Sequence, residues 1–234
     1  MTATTLCDWP ATKLARHLKR GSVSSEAAVT ACLSRIDALD GTLRAFVTVD
    51  AKGALDAARA ADARQAEGGE LPPLHGLPVA VKDVTATKGL RTTQGSKLHA
   101  NTVPDHDAES VARLRRAGAI ILGKTNTPEF AFGAVCTNAL CGPTSNPWDT
   151  DLSSGGSSGG SAVAVATGMV PLAQGTDFGG SVRTPASFCG IVGLRPSPGI
   201  AGGSSAHLGF TNGGVDGPMA RDVLDCALFL DAMA

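Results

Sequence analysis

Residues 153–162 read Ser-Ser-Gly-Gly-Ser-Ser-Gly-Gly-Ser-Ala, and no other segment constrains the chain as much. By composition alone a Gly/Ser run is a flexible linker. That reading is weak here. The run lies between Pro147-Trp148 and a helix-compatible stretch, 162–168, with no compositional change to mark two domains. The chain holds 29 glycines, many of them after residue 140. Glycine permits positive φ and close backbone approach. A chain that concentrates it in its middle builds a feature there from bare backbone. A phosphate-binding loop fails on chemistry, because no Lys-Ser/Thr pair closes the run and no GxGxxG follows a strand.

Around this run the hydrophobic rhythm is that of an α/β protein. Val29, Cys32, Leu33, Ile36 and Leu39 keep helical spacing, with Ser24 as N-cap and Gly41 as terminator. Residues 44–49 alternate like a short strand, and 51–66 read as a surface helix. Residues 67–74 form a turn-rich connector. Short apolar runs then follow at 77–81, 119–122, 170–173 and 191–194. Helical patterns stand at 108–117, capped by Asp107, at 162–168 and at 221–234. Short buried strands alternating with helices predict a mixed, mainly parallel sheet covered by helices on both faces. Residues 1–66 are expected to form an N-terminal helical region and 67–234 a core. The abrupt apolar end at Ala234 reads as a chain cut short or one that needs a second piece, and a homodimer or a second chain supplying the missing half is the expected partner.

Composition narrows the function classes. A 43% hydrophobic and 18% charged chain is ordinary globular protein. Its net charge of −1 gives no reason to expect nucleic acid or an anionic membrane. No secretory leader and no apolar span of membrane length is evident, so the cytoplasm is expected. Cys7, Cys32, Cys136, Cys141, Cys189 and Cys226 form no CxxC and no zinc pattern, and read as small buried thiols.

A second glycine segment, 175–181, reads Gly-Thr-Asp-Phe-Gly-Gly-Ser. Two glycines before Ser181 free the backbone to turn sharply. The N–H groups of Phe178, Gly179 and Gly180 can then converge beside the hydroxyl as an oxyanion hole. A serine nucleophile needs a base. His17, His75, His99, His106 and His207 stand in no triad context, and no G-x-S-x-G elbow surrounds Ser181. Lys82 ends an apolar strand, where desolvation favours the neutral amine, and Ser–Lys pairs can replace Ser–His. Asp177 and Arg183 read as an ion pair fixing the loop, and Thr176 as a further support. Cys189 reads as packed and inert. Asn126, Thr127 and Glu129 fit either a pocket lining or a structural loop.

The strings GLPVAVKD, AGAIILGKTNTPEFAFG, SNPWD, GGSSGGSAVAVATGMVPLAQGTDFGGSVRTPASFCGIVGLRPSPG and GPMARDV resemble the amidase-signature family, in the family's order, from about residue 10 to the end. Members of that family are longer, so the resemblance implies an N-terminal half. It implies Lys82 as base, Ser157 as the serine bridging base and nucleophile, and Ser181 as nucleophile, with the oxyanion held at Phe178, Gly179 and Gly180. In the family the bridging serine usually follows a cis peptide. Ser158 and Ser161 are expected to make loop and helix-cap hydrogen bonds instead. The implied reaction is hydrolysis of a small carboxylic amide to acid and ammonia or amine through an acyl-enzyme, with no metal or cofactor. One component of a glutamine-dependent amidotransferase carries the same motifs, and a truncated half acting as an interaction module is the non-enzymatic alternative.

Overall fold

The computed structural model describes residues 6–202 and 213–234. His207 lies outside the described residues. Among the described residues a six-stranded sheet runs in the order β1-β3-β2-β6-β8-β7. Its strands are β1 (Phe46–Val49), β2 (Pro78–Lys82), β3 (Ile120–Thr125), β6 (Leu172–Asp177), β7 (Val192–Gly193) and β8 (Val215–Ala220). The small strands β4 (Thr137–Asn138) and β5 (Gly142–Pro143) pair separately.

The three neighbours β3, β2 and β6 are parallel. Strands β1 and β8 run antiparallel to them, and β7 antiparallel to β8. The sheet is therefore mixed with a parallel centre, and four of its six strands point the same way. Every residue of β2 and β3 is buried, the pattern of strands covered on both faces.

Seven α-helices accompany the sheet among the described residues: α1 (Ala11–Lys19), α2 (Ser25–Leu43), α3 (Ala51–Glu67), α4 (Glu109–Arg116), α5 (Gly159–Ala166), α6 (Arg183–Cys189) and α7 (Val223–Met233). Helix α5 lies across the central strands. Its Ser161 hydroxyl meets Thr125 Oγ1 of β3 at 2.6 Å and donates to the Gln174 carbonyl of β6 at 2.9 Å. Gly160 lets this helix approach so closely, since a Cβ there would sit 2.3 Å from the Asn126 nitrogen and 2.5 Å from the Ala45 oxygen.

Local chemistry accounts for most element ends. Ser24 caps α2 as expected, accepting from the Ala27 N–H. Gly41 does not end that helix. It continues to Leu43, and Arg44 turns left-handed at φ 53°, because Asp40 Oδ1 accepts the Ala45 and Phe46 N–H groups just beyond. Asp107 does not cap α4. It takes the Lys88 N–H at 2.7 Å and pairs with Arg115, leaving Ala108 at the cap position. Strand β6 begins two residues later than the apolar run suggested and extends through Asp177. Strand β8, with Gly217 and Pro218 inside it, follows no simple hydrophobic pattern.

Candidate active site

The carboxyl ends of β2 and β6 carry Lys82 and Asp177, and in parallel sheets that edge is where ligands bind. The loop entering α5 places Ser157 against Lys82. Lys82 Nζ donates to Ser157 Oγ at 2.6 Å and to Thr176 Oγ1 at 2.8 Å. Lys82 and Ser157 are both wholly buried. Burial pushes the Lys82 ammonium down from 10.5 to about 7, so near neutrality much of it is free amine. The Gly156–Ser157 peptide is cis.

Ser181 follows at the turn between β6 and α6. Its carbonyl accepts the Ser158 N–H at 3.0 Å, which pins it to the Ser157 loop. Ser158 Oγ bonds the Thr176 carbonyl and the Thr176 N–H, each at 3.2 Å. Gly175 leaves room for that contact, since a Cβ would lie 2.8 Å from Ser158 Oγ. Ser158 thus ties its loop to β6, Ser161 joins β3 to β6, and neither side chain caps the helix. The Ser181 hydroxyl makes no hydrogen bond among the described residues. Catalytic hydrogen bonds often tighten only when substrate is present.

The three expected oxyanion donors divide. The Gly180 N–H donates to Asp177 Oδ1 at 2.8 Å, so that amide is already engaged. Phe178, 76% exposed, and Gly179 stand at the surface of the turn. Among the described residues the N–H groups of Phe178, Gly179 and Ser181 have no acceptor. The donor set open to a ligand therefore includes Ser181's own amide, which lies two residues before the first residue of α6.

Asp177 holds the turn together. Its carboxylate also receives the Val182 N–H at 3.1 Å and both Arg183 Nε and Nη2, at 3.0 and 2.9 Å. Arg195 adds a third contact at 3.4 Å. Burial pushes this carboxyl up, but the Arg183 guanidinium and the amides outweigh it and hold it down at about 2. The pair is the loop clamp expected of it. Cys189 is buried, and burial lifts its thiol to about 12, well out of the reactive range.

Asn126 is buried in a structural knot: its Nδ2 donates to the Gly142 carbonyl and Thr144 Oγ1, and its Oδ1 accepts from Asn138. Glu129 accepts from Ser96 Oγ at 2.7 Å. His17, His99 and His106 bond Ser22, Thr102 and Asp105, away from Lys82. Sequence reasoning overlooked a buried polar layer beside the lysine. Gln174 Oε1 accepts the Lys82 N–H at 3.1 Å. Lys124 is buried and donates to the Thr85 carbonyl and to Thr87 Oγ1. Asp216 is buried on β8, directly across from Thr176. The one available signal was an aspartate inside the otherwise apolar stretch 215–220.

Known proteins resemble this chain in sequence and fold. The family model described as Amidase matches residues 27–234. A glutamyl-tRNA(Gln) amidotransferase subunit from Moorella thermoacetica is 47% identical over 222 residues, which are 95% of this chain and 46% of that protein. The native peptide amidase of Stenotrophomonas maltophilia superposes with a TM-score of 0.88 at 36% identity, over 97% of this chain and 48% of its own. A bacterial aryl acylamidase described as an amidase-signature enzyme gives 0.92 at 31% identity, over 96% and 47%. The chain spans about half the length of the curated relatives it matches.

Proposed function

The chain belongs to the amidase family, and on that premise we propose that it carries the acyl-transfer centre of an amide hydrolase, with Lys82, Ser157 and Ser181 as its catalytic residues. The observation that carries this reading is the buried 2.6 Å contact of Lys82 Nζ with Ser157 Oγ, beside a serine turn with outward-facing amides. Neutral Lys82 takes the Ser157 proton as Ser157 takes the Ser181 proton. Ser181 Oγ bonds to the amide carbon, and the carbonyl oxygen becomes an oxyanion held by the turn amides. The proton returns through Ser157 to the leaving nitrogen as the C–N bond breaks. Water, deprotonated by the same relay, then releases the acid and restores Ser181.

The site is proposed to act on a small-molecule amide, in the cytoplasm. Six free cysteines, five of them buried, suit a reducing compartment. No helix among the described residues is long and apolar enough to cross a membrane. A second reading rests on the 47% identical relative, whose name is that of an amidotransferase component: the same centre would release ammonia from a donor amide for use by an associated chain.

Incubation with simple amides, including glutamine, tests the proposal. Equal amounts of acid and of ammonia or amine are expected from the wild type and none from Ser181→Ala. Turnover that survives in Ser181→Ala would contradict it.

A further inference from the structure

Lys82 is surrounded by few groups able to carry its charge. When it holds a proton during acylation it is an ammonium ion in a fully buried site, with Ser157 and Thr176 hydroxyls as its recorded acceptors. An uncompensated buried charge is strongly unfavourable, so a counter-charge nearby has large leverage.

Three carboxylates stand in this part of the interior. Asp177 is bound by Arg183 at 2.9 Å and approached by Arg195 at 3.4 Å, so its charge is already compensated. Asp83 accepts from the Thr93 hydroxyl and N–H and faces Lys124. Asp216 has no guanidinium partner among the described residues. It is 1% exposed, its Oδ2 accepts from Ser110 Oγ of α4, and its Oδ1 has no hydrogen-bond partner among the described residues. In the antiparallel β6–β8 pair it lies directly opposite Thr176, the residue whose hydroxyl accepts from Lys82 Nζ. Directly opposed side chains on such a pair share one face.

We propose that Asp216 is a positioning residue for Lys82: its carboxylate, one strand beyond Thr176, is the counter-charge that stabilises the proton Lys82 holds during acylation. The inference rests on the proposed role of Lys82. Burial lifts the Asp216 carboxyl to about 6, against the pull of Ser110, of Lys82 and of the Gln174 side chain on the neighbouring strand, so it is largely ionised where Lys82 titrates. Lys124 also faces it, and is itself held near 7 by burial with Asp83, Asp107 and Arg115 around it. Around Lys82 the other groups are Cys136, kept as a neutral thiol by burial, and the already paired Asp177.

The test is the Lys82 titration itself, followed through the Nζ resonance of the full chain labelled with ¹⁵N-lysine and assigned with Lys82→Met. In Asp216→Asn, which keeps the side-chain volume, the midpoint is expected to fall by about one unit. Ser110→Ala supplies a second variant. Losing that donor raises the Asp216 carboxyl, keeps it protonated to higher pH, and is expected to move Lys82 in the same direction by less. A purely structural Asp216 would alter the melting temperature and leave the Lys82 midpoint where it is. An unmoved midpoint in a folded variant overturns the proposal. A midpoint that moves while the pH dependence of Ser181 acylation does not would uphold the electrostatic link and count against the catalytic reading of Lys82.

Discussion

Lys82 Nζ and Ser157 Oγ meet at 2.6 Å with both side chains removed from solvent. The lysine stands at the end of a fully buried parallel strand, and the serine is presented by a glycine-rich loop after a cis peptide. Desolvation weakens the amine as a base but leaves much of it unprotonated near neutral pH, and the hydroxyl beside it is the group from which it can take a proton.

A pH dependence follows. Lys82 accepts a proton only when neutral, and burial brings it to about 7. The rate of Ser181 acylation by an excess of sulfonyl fluoride is expected to rise through that pH and level off above it. A rate that falls with rising pH across this range would contradict the role of Lys82.

Substitutions rank the relay. Lys82→Ala and Ser157→Ala are each expected to slow acylation by about 10²- to 10⁴-fold, the range for losing a general base. Because the two act as one unit, the double variant is expected to be little slower than either single one. Stopped-flow or timed mass measurements of acylation would reveal additive losses if the two worked independently.

The same burial links pH to stability. Lys82 and Lys124 are both lowered to about 7 in the fold, against 10.5 when unfolded. Above pH 7 the unfolded chain therefore binds more protons than the native one, and stability rises with pH. Buried thiols oppose the trend above 9, because Cys189 and Cys226 are raised to about 12 and about 11, and these two offset the two lysines. The urea midpoint is expected to increase from pH 7 to pH 9, and Lys124→Met to flatten that increase.

The turn at Ser181 depends on Asp177. Asp177→Asn keeps the size but loses the charge that receives Gly180, Val182 and Arg183, and is expected to cost on the order of 2 kcal/mol. Thermal unfolding measures this. Gly160→Ala forces a Cβ to within 2.5 Å of two backbone atoms and is expected to destabilise by roughly 1–3 kcal/mol.

The proposed site is legible in the sequence because it is concentrated in two contiguous glycine segments and a lysine ending an apolar strand. The alternating strands and helices were legible for a similar reason: β2 and β3 contain continuous apolar runs. What escaped depends on distant partners. Strand β8 is held by pairing with β6, and its Gly217 and Pro218 hide it from any periodicity. Asp107 resembles a helix cap in sequence, yet Lys88 and Arg115 claim it. Gly180 reads as an oxyanion donor until Asp177, three residues earlier, is seen to accept its N–H. Asp216 acquires its place only through the register that sets it against Thr176.

The central claim is that Ser181 is a nucleophile served by Ser157 and Lys82, and covalent capture tests it most directly. The chain is treated with a fluorophosphonate at mildly alkaline pH and weighed intact. One adduct per chain, mapped to Ser181, absent from Ser181→Ala and strongly slowed in Lys82→Ala, is the expected result. No adduct on the wild type, or an adduct of equal yield on Ser181→Ala, would contradict it.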